Sequence, residues 1–207
     1  MSALAPIDKG KQLLADTVFQ FLGSAIIEGD LEQGERIRDA DLAEKLNVSR
    51  MPIREALQRL ERIGLIEMMP SRYTRVTVVT DEIVQASLAY AGYKCGIELR
   101  AALPLMTEQQ LARTIELLDA ADAALGDAEA SIRARIACSR HIGSLTAQTV
   151  YSQHLQDLEL ALERNLKHVG PALDDEALHD NYVRLREAIL DRDGDVAERL
   201  VRAQFGI

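Results

Sequence analysis

The sequence predicts a mainly α-helical protein made of a small N-terminal unit and a larger, all-helical C-terminal bundle. Three observations predict it. Helix breakers are sparse, with 12 Gly and 5 Pro in 207 residues, while Ala and Leu are abundant. Apolar residues recur at spacings of three and four along most of the chain, the period of a one-sided helix. Residues 65–79 alone depart from that period. They are rich in Leu, Ile, Met, Val and Thr around a cluster of turn formers, the pattern of a β-hairpin.

Taken in order, residues 10–29 form the first predicted helix. Leu14, Val18, Phe21, Leu22 and Ala25 share one face, and Gly29-Asp30 and Gly34 supply turn residues beyond it. Residues 39–46 form a short second helix with Leu42, Ala43 and Leu46 inward. Asn47-Val48-Ser49 is a tight break. Ser49 then suits the N-cap of a third helix, its hydroxyl accepting from free N–H groups of the first turn. Pro52 lies inside that turn, where its missing N–H does no harm. Ile53, Ala56, Leu57, Leu60 and Ile63 make the buried face, and Gly64 stops the helix. Residues 65–69 and 75–79 are the predicted strands, joined by Pro70-Ser71-Arg72-Tyr73-Thr74. Thr80 caps the next helix, with Asp81 and Glu82 in its first turn. From there the helical pattern runs to the end, broken near Leu103-Pro104, Gly126-Asp127, Gly170-Pro171 and Asp193-Gly194. Five to seven helices packed as a bundle are expected. The boundary falls near residue 78, giving units at 1–78 and 79–207.

Composition excludes several classes. With 47% hydrophobic and 28% charged residues, the chain has enough apolar side chain to offset chain entropy and is not a disordered tail. Its apolar runs are too short to span a bilayer. The start, MSALAPIDKGKQLLAD, lacks a basic segment followed by an apolar core, so no secretion signal is expected. Cys95 and Cys138 are too few for a disulfide framework and lack metal-ligand spacing. They read as small buried hydrophobes in a reducing compartment. The cytoplasm is the expected location.

Net charge is −9, which by itself argues against nucleic acid. The charge is unevenly spread, however. Residues 81–207 carry 13 Lys/Arg against 21 Asp/Glu, whereas residues 45–80 carry 7 against 3. A basic island on an acidic chain means that the whole-chain charge says little about what that island touches. The order helix, three-residue turn, helix, Gly and hairpin is that of a winged helix-turn-helix. In that arrangement the third helix enters the major groove and the hairpin reaches along the backbone or into the minor groove. At 100° per residue, Arg54 lies about 40° and Gln58 about 80° round from Arg50, whereas Ile53, Leu57 and Leu60 point the other way round from it, at about −60°, −20° and −80°. Two guanidinium forks near a helix N-terminus suit guanine O6/N7 or a phosphate. Arg72 sits at the tip of the predicted wing. Two Arg at i and i+4 are by themselves an ordinary solvated face, and it is the complete element order that points to DNA.

The stretch GERIRDADLAEKLNVSRMPIREALQRLERIGLIEMMPSRYTRV resembles the DNA-binding domain of the GntR family of bacterial transcription regulators. The resemblance is carried by Leu42-Ala43, Val48-Ser49-Arg50, Pro52-Ile53-Arg54-Glu55-Ala56-Leu57, Leu60 and Gly64-Leu65. It implies a DNA site of Arg38, Ser49, Arg50, Pro52, Arg54 and Arg72. In it Arg50 and Arg54 are the principal operator contacts, Ser49 binds a phosphate and Arg38 the backbone. Tyr73 stands where the family usually has a Gly that lets the wing approach the minor groove, and Gln33 replaces a frequent Pro. The C-terminal region is similar in helical pattern to the effector domain of the FadR-like subgroup, through Tyr182, residues 186–190, Asp193, Ala197 and Leu200. That subgroup often holds a divalent metal with one Asp and three His. The matching positions here read Ala137, His141, Tyr182 and Gln204, so no metal and no other cofactor are expected. His154, His168 and His179 read as surface histidines. The effector pocket implied by the resemblance contains His141, Tyr182 and Gln204, with Lys94 or Arg140 as counter-charge for a small organic acid such as a carboxylate. A cavity filled by side chains is the alternative.

The expected function is therefore that of a homodimeric DNA-binding repressor, not an enzyme, whose partners are double-stranded operator DNA and a small-molecule effector, with no membrane association. The alternative reading is a helical ligand-binding or catalytic module in which the N-terminal unit only dimerises. Against catalysis, no nucleophile is paired with a base and no Gly-rich phosphate loop is present. A non-specific nucleoid-type binder is disfavoured by the acidic C-terminal unit.

Overall fold

The computed structural model describes residues 9–146 and 152–207, with side chains described over 13–146 and 157–207. The elements are α1 (Lys9–Glu28), α2 (Asp39–Lys45), α3 (Arg50–Arg62), β1 (Ile66–Met69), β2 (Tyr73–Val76), α4 (Asp81–Ala102), α5 (Glu108–Ala123), α6 (Ala128–Thr146), α7 (Ser152–Leu166), α8 (Asp175–Leu190) and α9 (Gly194–Ala203), with a 3-10 turn at Leu103–Leu105. The chain divides into two compact units. One holds the residues up to Thr80 together with 157–164. The other holds 81–156 and 165–207.

In the first unit, α1 and α3 enclose a core whose fully buried members include Phe19, Leu22, Ile53, Leu60, Leu65, Ile66 and Val76. The inward face of α1 differs from the predicted one. Ala15, Val18, Phe19, Leu22, Ile26 and Ile27 are buried, whereas Phe21 is 55% exposed and Leu14 lies at the surface. Phe19 rather than Phe21 takes the core, on one face with Ala15, Val18, Leu22 and Ile26, and the Arg59 guanidinium lies over its ring at 4.0 Å while also pairing with Asp16 and Asp157. That cover comes from residues distant in sequence.

Gly64 ends α3 at φ +77, a left-handed conformation that costs a residue with a Cβ roughly 1–2 kcal/mol. The strands are shorter than predicted. They pair antiparallel with Ile66 opposite Val76 and Met69 opposite Tyr73. Tyr73 is therefore a strand residue and the turn is Pro70-Ser71-Arg72, with Ser71 at φ +58. The segment around Arg36, unassigned from sequence, lies along the other edge of β2. The Gly34 N–H donates to the Val76 carbonyl, the Val76 N–H to that of Glu35, and the Ile37 N–H to that of Thr74.

The second unit packs α4, α5, α6, α8 and α9 around Leu99, Leu103, Leu178 and Ile189. Helix starts follow side-chain chemistry. Thr107 and Gln110 form a reciprocal capping box on α5, while Asp174 and Asp193 accept from the first-turn N–H groups of α8 and α9. The 3-10 corner is held by Arg192, whose guanidinium donates to the Leu103 and Met106 carbonyls and reaches Glu108. Two glycines of α4 let the chain approach closely, since a Cβ on Gly92 would lie 2.9 Å from Phe205 Cβ, just past α9, and one on Gly96 3.0 Å from Glu198 Cγ of α9. Among the described residues no helix is long and apolar enough to cross a membrane.

Candidate functional site

The first site is the outward face of α3. Amphipathicity places it, because Ile53, Ala56, Leu57 and Leu60 are buried and so turn Arg50, Arg54 and Gln58 to solvent. Arg54 is held from the side. Its Nε donates to Asp39 Oδ2 at 2.7 Å, which leaves the two terminal nitrogens for a base or phosphate. The same hydrogen bond keeps the Asp39 carboxyl below the usual carboxylate range. Asp39 lies on α2, so this contact links the two helices of the helix-turn-helix, and sequence reading missed it. Ser49 occupies the N-cap position of α3 with extended backbone, but its hydroxyl makes no capping hydrogen bond. The first-turn N–H groups and an exposed hydroxyl thus remain together at a helix N-terminus, the arrangement that receives phosphate. Arg38 is exposed at the start of α2.

Pro52 must be corrected. Its side chain is buried, so it shapes the first turn and offers no surface to DNA. The neighbouring Met51, 63% exposed, presents the apolar group instead. The signal for it was an apolar residue off the buried face of an amphipathic helix.

Arg72 is exposed at the tip of the wing, its N–H closing the turn onto the Met69 carbonyl. Tyr73 does not stand at the tip. Its hydroxyl donates to Glu67 across the hairpin at 2.8 Å, and its ring lies under Arg75 at 4.7 Å and Arg36 at 5.9 Å. Glu67 also accepts from Arg75. These bonds hold the Glu67 carboxyl below its usual range, chiefly through Tyr73, and raise the Tyr73 phenol, chiefly through Glu67.

The second site is a cavity of about 50 Å³ inside the helical unit. Its wall is mostly apolar, including Leu99, Leu118, Ile142, Leu185, Ile189 and Val201, and Tyr182 and Gln204 line it too. Lys94, Arg140 and His141 are not among the residues lining it, and this is a second correction. Lys94 is paired with Glu98 one turn along α4 at 3.0 Å, and Arg140 lies at the surface. The cation at the cavity is Arg135, which sequence reading missed because nothing in the α6 pattern separates it from Arg133 and Arg140. Burial lowers its pKa and raises that of Tyr182 to about 12 and of Cys138 to about 12. Of the two cysteines, Cys95 is buried and within hydrogen-bond distance of Ser139, at 3.0 Å.

The divalent metal of the FadR-like pattern does not fit these residues. Ala137 has no donor atom. His141 Nε2 is already in hydrogen-bond contact with Thr114 Oγ1 at 3.1 Å. The Gln204 amide donates to Asn181 at 2.8 Å. Among the described residues no three His, Cys, Asp or Glu converge. His179 is exposed and bonded to Asp122, and His168 is exposed. His154 lies outside the residues whose side chains are described.

Residues 14–76, the span that builds the helix-turn-helix and its wing, match the family described as "Bacterial regulatory proteins, gntR family". Residues 14–76 carry a GntR-family domain. With that domain it is a DNA-binding transcription regulator with a helix-turn-helix. The HTH-type transcriptional repressor RspR of Escherichia coli (strain K12) is 24% identical over 191 residues, covering 88% of this chain and 81% of that protein. Among solved structures, Escherichia coli McbR/YncC has a TM-score of 0.65 at 21% identity, covering 93% of each chain. A GntR regulator from Rhodococcus sp. RHA1 has a TM-score of 0.62 at 22% identity, again covering 93% of each. At these identities the likeness speaks for the fold, a winged helix-turn-helix with a helical C-terminal unit.

Proposed function

We propose that this GntR protein is a cytoplasmic, FadR-like repressor that binds a palindromic operator as a homodimer and senses a small molecule in its helical unit. The observation that carries the reading is the α3 face, where Arg50 and Arg54 stand exposed at a helix N-terminus within the family-matched unit. A two-fold dimer would offer two such helices to two half-sites. The effector would act by binding the operator-competent and incompetent states with different affinity. The repressor name of RspR supports the sign of regulation.

Selection of binding sequences from random duplexes, followed by titration of the winner, tests the reading. A preferred palindrome is expected, with Arg50→Ala and Arg54→Ala each weakening it by about 1–3 kcal/mol if each reads a base. Equal affinity for the selected and scrambled duplexes would sink it.

A further inference from the structure

We propose that Met51 is a specificity-determining residue of the DNA interface. Its side chain would pack on the 5-methyl group of one thymine in each operator half-site, beside the base pair met by Arg54. The proposal rests on the reading of the outward α3 face as the DNA contact and names one base which that face selects.

Three observations carry it. The first is direction. At 100° per residue, Met51 lies about 100° round α3 from Arg50, whereas the buried Ile53, Ala56, Leu57 and Leu60 centre near about −70°. Met51 therefore points almost straight away from the core, on the same outward arc as Arg54 and Gln58. The second is exposure. Met51 is 63% exposed, more than any other large apolar side chain of α2, α3 or the hairpin, where Met69 follows at 40%. The third is position. Met51 follows Arg50 in the first turn of α3, the part of this helix that a helix-turn-helix brings to the base edges.

Chemistry then selects the base. Arg50 and Arg54 offer N–H donors, whereas the end of Met51 has none and its sulfur is only a weak acceptor. The apolar group displayed in the major groove is the thymine 5-methyl. A purine edge at this point would exchange hydrated acceptors for an apolar surface, with no hydrogen bond in return. The unbranched thioether also adapts readily to the shape of its partner. Arg54 is held through Nε by Asp39, and the buried Pro52 and Ile53 fix the turn that carries Met51. The spacing between the arginine fork and the methionine is thus set before DNA arrives.

Titration of the whole chain with the operator selected from random duplexes tests this. Each thymine is replaced in turn, in both half-sites, by deoxyuridine, which lacks only the 5-methyl group. At one thymine per half-site the replacement should weaken wild-type binding about fourfold, and so about fifteenfold for the symmetric operator, the factor for burying one methyl-sized group at each. Met51→Ala should bind the thymine and uracil operators within about twofold of each other. Its urea midpoint should match that of wild type, because the side chain is exposed. The deoxyuridine series on wild type needs no variant to fold. An operator indifferent to the loss of every thymine methyl overturns the proposal. So does an undiminished penalty in Met51→Ala, which would assign the methyl to another side chain. Either result with a preferred operator intact removes this inference alone, whereas the absence of any preferred sequence removes the operator reading and this inference with it.

Discussion

Asp39 and Arg54 show how little energy a decisive contact needs. Arg54 is 61% exposed and Asp39 27%, and a surface pair of this kind is worth about 0–1 kcal/mol. Its value is orientation, because a side chain fixed through Nε presents its terminal fork in one direction. Asp39→Asn should therefore change the urea midpoint little. It should lower the ratio of operator to scrambled-duplex affinity, with non-specific binding somewhat tighter for the loss of a negative charge. An unchanged ratio would show that Arg54 needs no such support.

His141 and His179 give opposite pH effects. Burial depresses the His141 pKa, so the unfolded chain takes up that proton first as pH falls. The stability His141 contributes is full above the unfolded value of about 6.5 and is lost as pH falls through the lower, folded value. Asp122 raises the His179 pKa, so its contribution is full below about 6.5 and is lost as pH rises through the higher, folded value. Melting temperature followed from pH 8 to 5 should decline less steeply on the acid side in His141→Gln and more steeply in His179→Gln. Parallel curves for all three proteins would contradict both assignments.

At the scale of elements, two glycines do different work. A Cβ on Gly64 would meet no atom within 4 Å, so its role is the left-handed turn that separates α3 from β1. Gly92 is the reverse, with ordinary backbone but Phe205 Cβ and Ile207 Cδ1 each 2.9 Å from where its Cβ would be. The Ile207 tip can swing away, whereas a Cβ atom moves only with its backbone. Gly92→Val should cost about 1–3 kcal/mol by overpacking α4 against the end of α9, measured by urea denaturation. A neutral result would mean that the residues after α9 yield freely. The wing is also an element-scale matter, since Tyr73 is tied to Glu67 and Arg75 and so stiffens the hairpin behind Arg72.

For the whole molecule, charge is the governing quantity. The net −9 disfavours nucleic acid in general, while in the proposed function the basic stretch at 45–80 supplies the contact. If Arg38, Arg50, Arg54 and Arg72 of each protomer in the proposed dimer neutralise one phosphate apiece, log affinity should fall against log salt with a slope of about −7. Titrations between about 50 and 200 mM salt measure it, and a flat response would exclude phosphate-dominated binding.

What the sequence determined by itself was everything set by local period and local chemistry. The helix-turn-helix, its stop at Gly64, the hairpin, the α3 face bearing Arg50 and Arg54, and the lack of a donor atom at Ala137 were all legible, because each depends on a residue's own type or on residues a few positions apart. Tertiary structure decided the rest. It put Phe19 rather than Phe21 in the core, buried Pro52, laid the edge around Arg36 along β2 and placed Arg135 rather than Lys94 or Arg140 at the cavity. Those outcomes turn on which distant side chain supplies a partner and which is left without one. No periodicity within one helix carries that information.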